Sequence, residues 1–158
     1  MKTALILEVP NDLHAKLGDA LSDAAMLERV EEALHTLSAQ FKGWLSDDII
    51  RLNRAVKAAC QTPGEASRRE LLRHYGDLKG MGTTYGYPLV SRVAASACLL
   101  LTANSDLPLT LPLLEAHAAA ITVLVDCEIR DESHAEGQRL AHELEVQVQP
   151  FHSRVVRL

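Results

Sequence analysis

The chain has 158 residues, of which 47% are hydrophobic and 23% are charged, a balance typical of one soluble globular domain. Aromatic residues make up only 4%, which favours helices rich in Ala and Leu over strands. The formal net charge is −5, and no basic cluster is longer than Arg68-Arg69. Nucleic acid is therefore not an expected partner, because tracking phosphates needs a stripe of Lys and Arg.

The cysteines and the N-terminal sequence indicate a compartment. Three cysteines lie far apart in segments predicted to be helical, so we expect buried free thiols in a reducing cytosol; they are Cys60, Cys98 and Cys127. No segment is predicted to cross a membrane, and residues 1–8 do not resemble a secretion signal. We therefore expect a cytoplasmic protein that does not associate with a membrane.

The two ends of the chain show a loose alternation of apolar residues. It occurs near the start of the chain and again in residues 146–149 (Val-Gln-Val-Gln). The alternation is a weak signal for a strand pair between the ends. We divide the chain into an N-terminal arm (1–22), a helical domain (23–147) and a C-terminal tail (148–158).

From about Asp23 the apolar residues repeat at spacings of three and four, which predicts one long helix or two nearly collinear ones. This helix is expected to end near Gln61, before the turn Thr62-Pro63-Gly64. We predict that its apolar stripe is bundle core, and that any part projecting beyond the bundle packs against a second copy, giving a homodimer. The stripe comprises Leu27, Val30, Leu34, Leu37, Phe41 and Trp44, followed by Leu45, Ile49, Leu52, Val56 and Ala59.

Four shorter helices are predicted after the first. They cover about 65–83, 88–103, the segment through Ala120 to about Ile129, and about 133–145, and the longest loop is 104–112. Short connections between amphipathic helices imply antiparallel neighbours. The predicted fold is therefore all-α, an up-and-down helical bundle with an N-terminal extension and a long first helix.

The most informative segment carries four glycines between positions 76 and 86. On a helix, Gly76, Lys79, Gly80 and Thr83 share one face, which we call the glycine–lysine flank. It is a strip poor in side chains that carries one cation, able to offer positive charge to a phosphoryl group. The buried face of the same helix is expected to hold Leu71, Tyr75, Leu78 and Gly82.

The run Gly76-Asp77-Leu78-Lys79-Gly80 resembles the motif of histidine-phosphotransfer (HPt) domains, in which the phosphorylatable His is followed by any residue and then Leu-Lys-Gly. The continuation from Gly82 to Val90 is similar to a bacterial subgroup with a Gly-Tyr-Pro-Leu run. The resemblance covers about residues 25–145 in outline, and is specific over 71–101.

This resemblance implies a four-helix bundle of a two-component phosphorelay that binds a response-regulator receiver domain or a sensor kinase. Lys79 would balance phosphate charge, and Gly80 would leave room for the receiver. Gly76 stands where the phospho-acceptor histidine should be, and glycine has no nucleophile. The resemblance therefore implies a protein that docks on its partner without carrying the phosphoryl group itself.

Two other interpretations of the motif remain open. His74 is the best substitute acceptor, although it points roughly 200° around the helix from Gly76. An active phosphotransfer protein would then use His74 or another residue. In the third interpretation the glycines merely permit close helix packing, and the chain is a structural or oligomerisation module.

Neither a cofactor nor a metal ion is expected. The glycine-rich run 80–86 follows a helix instead of a strand, and no Gly-Lys-Ser/Thr sequence is present, so a nucleotide loop is not indicated. His134 and His142 are eight residues apart, about 12 Å along a helix, which is too far for a shared ion.

Overall fold

The computed structural model describes residues 24–103 and 106–152, and within them it contains five α-helices and no strand. The prediction of an all-α fold is confirmed. The predicted arm (1–22) lies outside the described residues. The helices are α1 (Ala24–Gln61), α2 (Glu65–Met81), α3 (Pro88–Thr102), α4 (Leu107–Asp126) and α5 (Ala135–His152).

The chain divides after Gln40 into two units, each treated by itself. Helix α1 contributes residues to both. In the first unit, the apolar side chains of α1 are exposed, with 42–60% of their surface accessible; they are Met26, Leu27, Val30, Leu34 and Leu37. Trp44, in the second unit, is 50% exposed. The prediction that the stripe from Leu27 to Trp44 is bundle core is therefore wrong.

The length of α1 accounts for this error. Its 38 residues span about 57 Å, whereas the other helices, of 15–20 residues, span only about 23–30 Å. The shorter helices cannot cover the full length of the apolar stripe of α1. The later part of the stripe is buried as predicted, at Leu45, Ile49, Leu52, Val56 and Ala59.

The core of the second unit is organised around α3, which packs against α2, α4 and α5. Leu89, Val93, Ala97 and Leu100 of α3 are completely buried. Core residues also come from α1, α2, α4 and α5, so all five helices contribute to one hydrophobic cluster. Burial of this kind, about 25 cal/mol per Å² of apolar surface, is the main favourable contribution to folding.

Specific polar contacts orient the helices around this core. The Tyr75 hydroxyl donates a 2.6 Å hydrogen bond to the carbonyl of Leu114, joining α2 to α4. Arg92 of α3 donates two hydrogen bonds to the carboxylate of Glu145 on α5, at 2.7 and 2.8 Å. A bidentate pair of this geometry fixes direction as well as distance.

Helix α4 begins earlier than the sequence indicated. The predicted loop 104–112 is wrong, because α4 starts at Leu107 and includes two prolines. Pro108 lies in the first turn, where its missing N–H has no helical acceptor. Pro112 removes one backbone hydrogen bond, but burial of Leu107, Thr110 and Leu111 holds this turn in helical form.

Two further expectations need correction. Residues 146–149 are helical and belong to α5, so the predicted strand is wrong there, and Val148 is buried. The cysteines are free, but Cys60 and Cys127 are exposed and Cys98 is only partly buried. A cysteine in a predicted helix is no guide to which face of the helix it occupies.

Helix α4 is also long and apolar enough, by length and composition, to cross a membrane. Half of its apolar window is buried inside the protein, and core helices of soluble proteins show the same feature. The structure is consistent with a soluble protein.

The connection between α2 and α3 depends on close contact at Gly82. A Cβ atom placed on Gly82 would lie 2.6 Å from the Ser91 Oγ, 2.8 Å from the Ser91 backbone nitrogen and 2.9 Å from the Leu78 carbonyl oxygen. Ser91 Oγ in turn accepts a 2.8 Å hydrogen bond from the backbone N–H of Thr83. Gly86 has a φ of +83°, which glycine adopts without strain, and it completes the turn.

We therefore expect Gly82→Ala to lower the free energy of unfolding by about 1–3 kcal/mol, because backbone atoms must move to admit the methyl group. Gly76→Ala is the matched control in the same helix, since nothing lies within 4 Å of its Cβ position. This control should raise the free energy of unfolding by about 0.5–1 kcal/mol. Urea denaturation of both variants measures the difference, and equal effects would contradict the contact described at Gly82.

Candidate functional site

Gly76, Lys79 and Gly80 of the glycine–lysine flank lie on the solvent-exposed side of α2. Helix α2 ends at Met81, so the prediction that Thr83 shares this helix face is wrong, and Thr83 lies in the turn that follows. Leu71, Tyr75 and Leu78 are fully buried on the opposite side, which is the face predicted for them. Gly76 and Gly80 are exposed, and no atom lies within 4 Å of the Cβ position of either residue. The strip beside Lys79 is therefore open to a partner's backbone.

Lys79 is the cation of this flank. It lies in the last turn of α2, where a positive charge interacts favourably with the helix dipole. Its side chain is exposed and makes no hydrogen bond or ion pair with any residue of 24–103 or 106–152. Burial raises the pKa of the Cys98 thiol on α3, and the positive charge of Lys79 opposes that rise.

Thr83 closes the flank at its C-terminal end. Its hydroxyl donates a 3.1 Å hydrogen bond to the Ser91 Oγ, while its side chain remains exposed. This contact ties the end of the flank to the first turn of α3. The positions of Gly80 and Lys79 are thereby held between a buried helix face and a fixed turn.

His74 lies on the other side of α2, next to α1, and is only 7% exposed. Its Nε2 lies 3.1 Å from the Arg73 Nη2 and 3.9 Å from the Glu70 Oε1. Burial, and then the charge of Arg73, lowers the pKa of His74, so the imidazole is neutral at pH 7 and its Nε2 accepts a hydrogen bond from Arg73. The structure does not bring His74 and Lys79 onto a common face.

The sequence did not indicate an aromatic cluster between the middle of α1 and the turn after α2. The ring of Phe41 lies 5.6 Å from the rings of both Trp44 and Tyr85, measured between centroids. Tyr85 belongs to the turn after α2, so contacts between distant segments create the cluster, and helical periodicity carries no signal for it. The exposed face of Trp44 is apolar surface available to a partner.

The chemistry available on the glycine–lysine flank is limited to binding. It offers one free ammonium group, exposed backbone and one engaged hydroxyl, with no thiol or imidazole. Among the described residues, no group of three His, Cys, Asp or Glu side chains is placed to hold a metal ion.

Comparison with known proteins gives no further identification. No family model matches the chain, and no curated protein or solved structure is significantly similar to it. The resemblance to HPt domains therefore rests on the motif in α2 and the turn that follows it.

Proposed function

We propose that this chain is an HPt-like component of a bacterial two-component phosphorelay that binds a receiver domain or sensor kinase without accepting phosphate itself. The observation that carries the proposal is the open surface at Gly76 and Gly80 beside an unpaired Lys79. In HPt domains this part of the motif surrounds the phospho-histidine. An HPt-like bundle would be built here from the helices that share the hydrophobic cluster of the second unit.

The charge of Lys79 supports the docking part of this proposal. Most exposed lysines gain little from surface ion pairs, but one that a partner covers interacts across a less polar medium. An aspartyl phosphate, or the acidic pocket that holds it, would supply the opposite charge. The absence of side chains at Gly76 and Gly80 would let the partner's backbone approach this charge closely.

The proposal that this chain does not accept phosphate itself follows from the positions of its histidines. Gly76 provides no nitrogen to attack the acyl phosphate on a receiver aspartate. His74, the alternative acceptor, is buried, and its Nε2 already accepts a hydrogen bond from Arg73. An active phosphotransfer protein that used this nitrogen would have to break that contact and expose the ring.

Charge reversal at Lys79 tests the docking surface. We expect Lys79→Glu to weaken binding to the phosphorylated cognate receiver by at least about tenfold, because like charges would then face each other. Lys57→Glu is the matched control, since Lys57 is also exposed on a helix but lies on α1. Titration calorimetry measures the affinity of both variants for the receiver. An equal loss of affinity in the two variants would mean that binding depends on net charge alone and not on the position of Lys79.

Placing a histidine at position 76 tests whether the site can accept a phosphoryl group. Gly76→His should make the protein a phospho-acceptor: the aspartyl P–O bond breaks, an N–P bond forms, and the imidazole N–H proton is released. The open Cβ position at Gly76 accommodates the ring, which would lie one turn before Lys79. Acid-labile label transferred from a radiolabelled phospho-receiver measures the gain.

The control for this variant is Gly43→His, which puts an imidazole on an exposed position of α1 that is equally free of neighbours. It should stay unlabelled, as should the wild-type chain. Label on the wild-type protein that disappears with His74→Ala would overturn the proposal and favour an active phosphotransferase.

A second candidate function is oligomerisation through α1, favoured by the exposed apolar residues of its first part. Leu27, Val30, Leu34 and Leu37 follow the three–four spacing of a coiled-coil heptad. Glu31 is the only charged residue at the heptad positions beside this seam. A second copy of the same helix is therefore a suitable partner, because no like charges oppose each other across the seam.

Under this second candidate the chain is a homodimer, and Leu34→Glu should reduce it to a monomer by placing a carboxylate in the seam. His35→Glu is the matched control, since the neighbouring residue points about 100° away and should leave the dimer intact. Size-exclusion chromatography with light scattering gives the mass. A wild-type chain that remains monomeric at high concentration would contradict this function.

A further inference from the structure

A second charged surface lies on the side of α2 away from Lys79, in a groove between α1 and α2. Its walls carry three arginines and one carboxylate, in a chain whose net charge is −5. Ala55 and Ala58 also line it, and their short side chains fill little of its space. We call it the arginine groove; it is lined by Arg51, Arg54, Ala55, Ala58, Glu70, Arg73 and His74.

The arginines of this groove are only partly neutralised. Arg51 donates a 3.1 Å hydrogen bond to the carboxylate of Asp48. Arg54 makes no hydrogen bond or ion pair within the described ranges 24–103 and 106–152. Arg73 makes its side-chain contact with the neutral imidazole of His74 instead of a carboxylate. Two guanidinium groups therefore line the same groove without an anionic partner.

The contact between Arg73 and His74 is an uncommon use of a guanidinium group. Arginine presents a rigid fork of N–H donors that suits the oxygens of a carboxylate or phosphate, and pairs of that kind are stronger than bonds to neutral acceptors. A single imidazole nitrogen uses only part of this fork. The remaining donors of Arg73 are available to a ligand in the groove.

We propose that the arginine groove binds an oxyanion of the phosphate class, held between Arg54 and Arg73 with Arg51 at its edge. The guanidinium groups would share the oxygens of the ligand, and Glu70 would limit binding to anions small enough to avoid its carboxylate. This site is separate from the glycine–lysine flank and does not depend on the function proposed for that flank.

The bound anion would also change the titration of His74. Burial and Arg73 lower the pKa of this histidine, whereas Glu70, Asp77 and Asp48 act in the opposite direction. An anion beside Arg73 would add negative charge and raise the pKa again. By linkage, protonation of His74 would strengthen the binding of any one ionisation state of the anion.

The experiment is a titration of the ¹⁵N-labelled full chain with inorganic phosphate at constant ionic strength, observing the imidazole signals of His74. We expect saturable shifts and a higher His74 pKa in the presence of phosphate. Arg54→Gln and Arg73→Gln should each weaken binding by about tenfold, because each removes a charge-assisted contact. Phenyl phosphate, titrated in parallel, distinguishes a preference for free phosphate from one for phosphate esters.

Arg139→Gln is the matched control, because Arg139 is exposed on α5 and does not line the groove. It should leave phosphate binding unchanged. Arg54 and Arg73 are both exposed, so both variants are expected to fold. The proposal is overturned if phosphate causes no saturable shift at His74, or if Arg139→Gln weakens binding as much as Arg54→Gln.

Discussion

The rotation of α2 about its own axis is the constraint on which the candidate sites depend. Leu71, Tyr75 and Leu78 are completely buried, and the Tyr75 hydroxyl is bonded to a carbonyl of α4. A buried tyrosine left without this acceptor would lose a hydrogen bond in a medium of low polarity, so other rotations of α2 are disfavoured. With that face fixed, Gly76 must face solvent.

The same rotation separates two kinds of chemistry on one helix. One side of α2 is nearly bare and offers the free ammonium group of Lys79. The other side holds a neutral, buried His74 among arginines. Because about 200° of helix rotation separates Gly76 from His74, a partner docked over Gly76 would not reach the His74 imidazole. This arrangement supports a docking role for the flank more strongly than phosphate transfer through His74.

Much of this arrangement could be predicted from the sequence. The spacing of Leu71, Tyr75 and Leu78 indicates the buried face of α2, and helical geometry then places Lys79 outside. The spacing of apolar residues also predicts where α1 begins and ends. These predictions succeed because a helix repeats every 3.6 residues, so local sequence determines which residues share a face.

Other features depend on tertiary contacts, which the spacing of apolar residues along the sequence does not predict. The first part of α1 has the same apolar spacing as the second part, and only the lengths of the other helices determine which part is covered. Pro112 suggests a loop, yet tertiary burial of Leu111 maintains the helix. The arginine groove joins Arg54 to Arg73, two residues of different helices, and the sequence gives no sign that they meet.

The most direct test of the proposed docking function is to map the receiver on the ¹⁵N-labelled chain by titration with a receiver domain from the same cell. We predict that the backbone signals of Gly76, Lys79 and Gly80 shift first and broaden most, together with those of the adjoining turn. Shifts confined to α5 or to the first part of α1, or no shifts with any such receiver, would contradict the account.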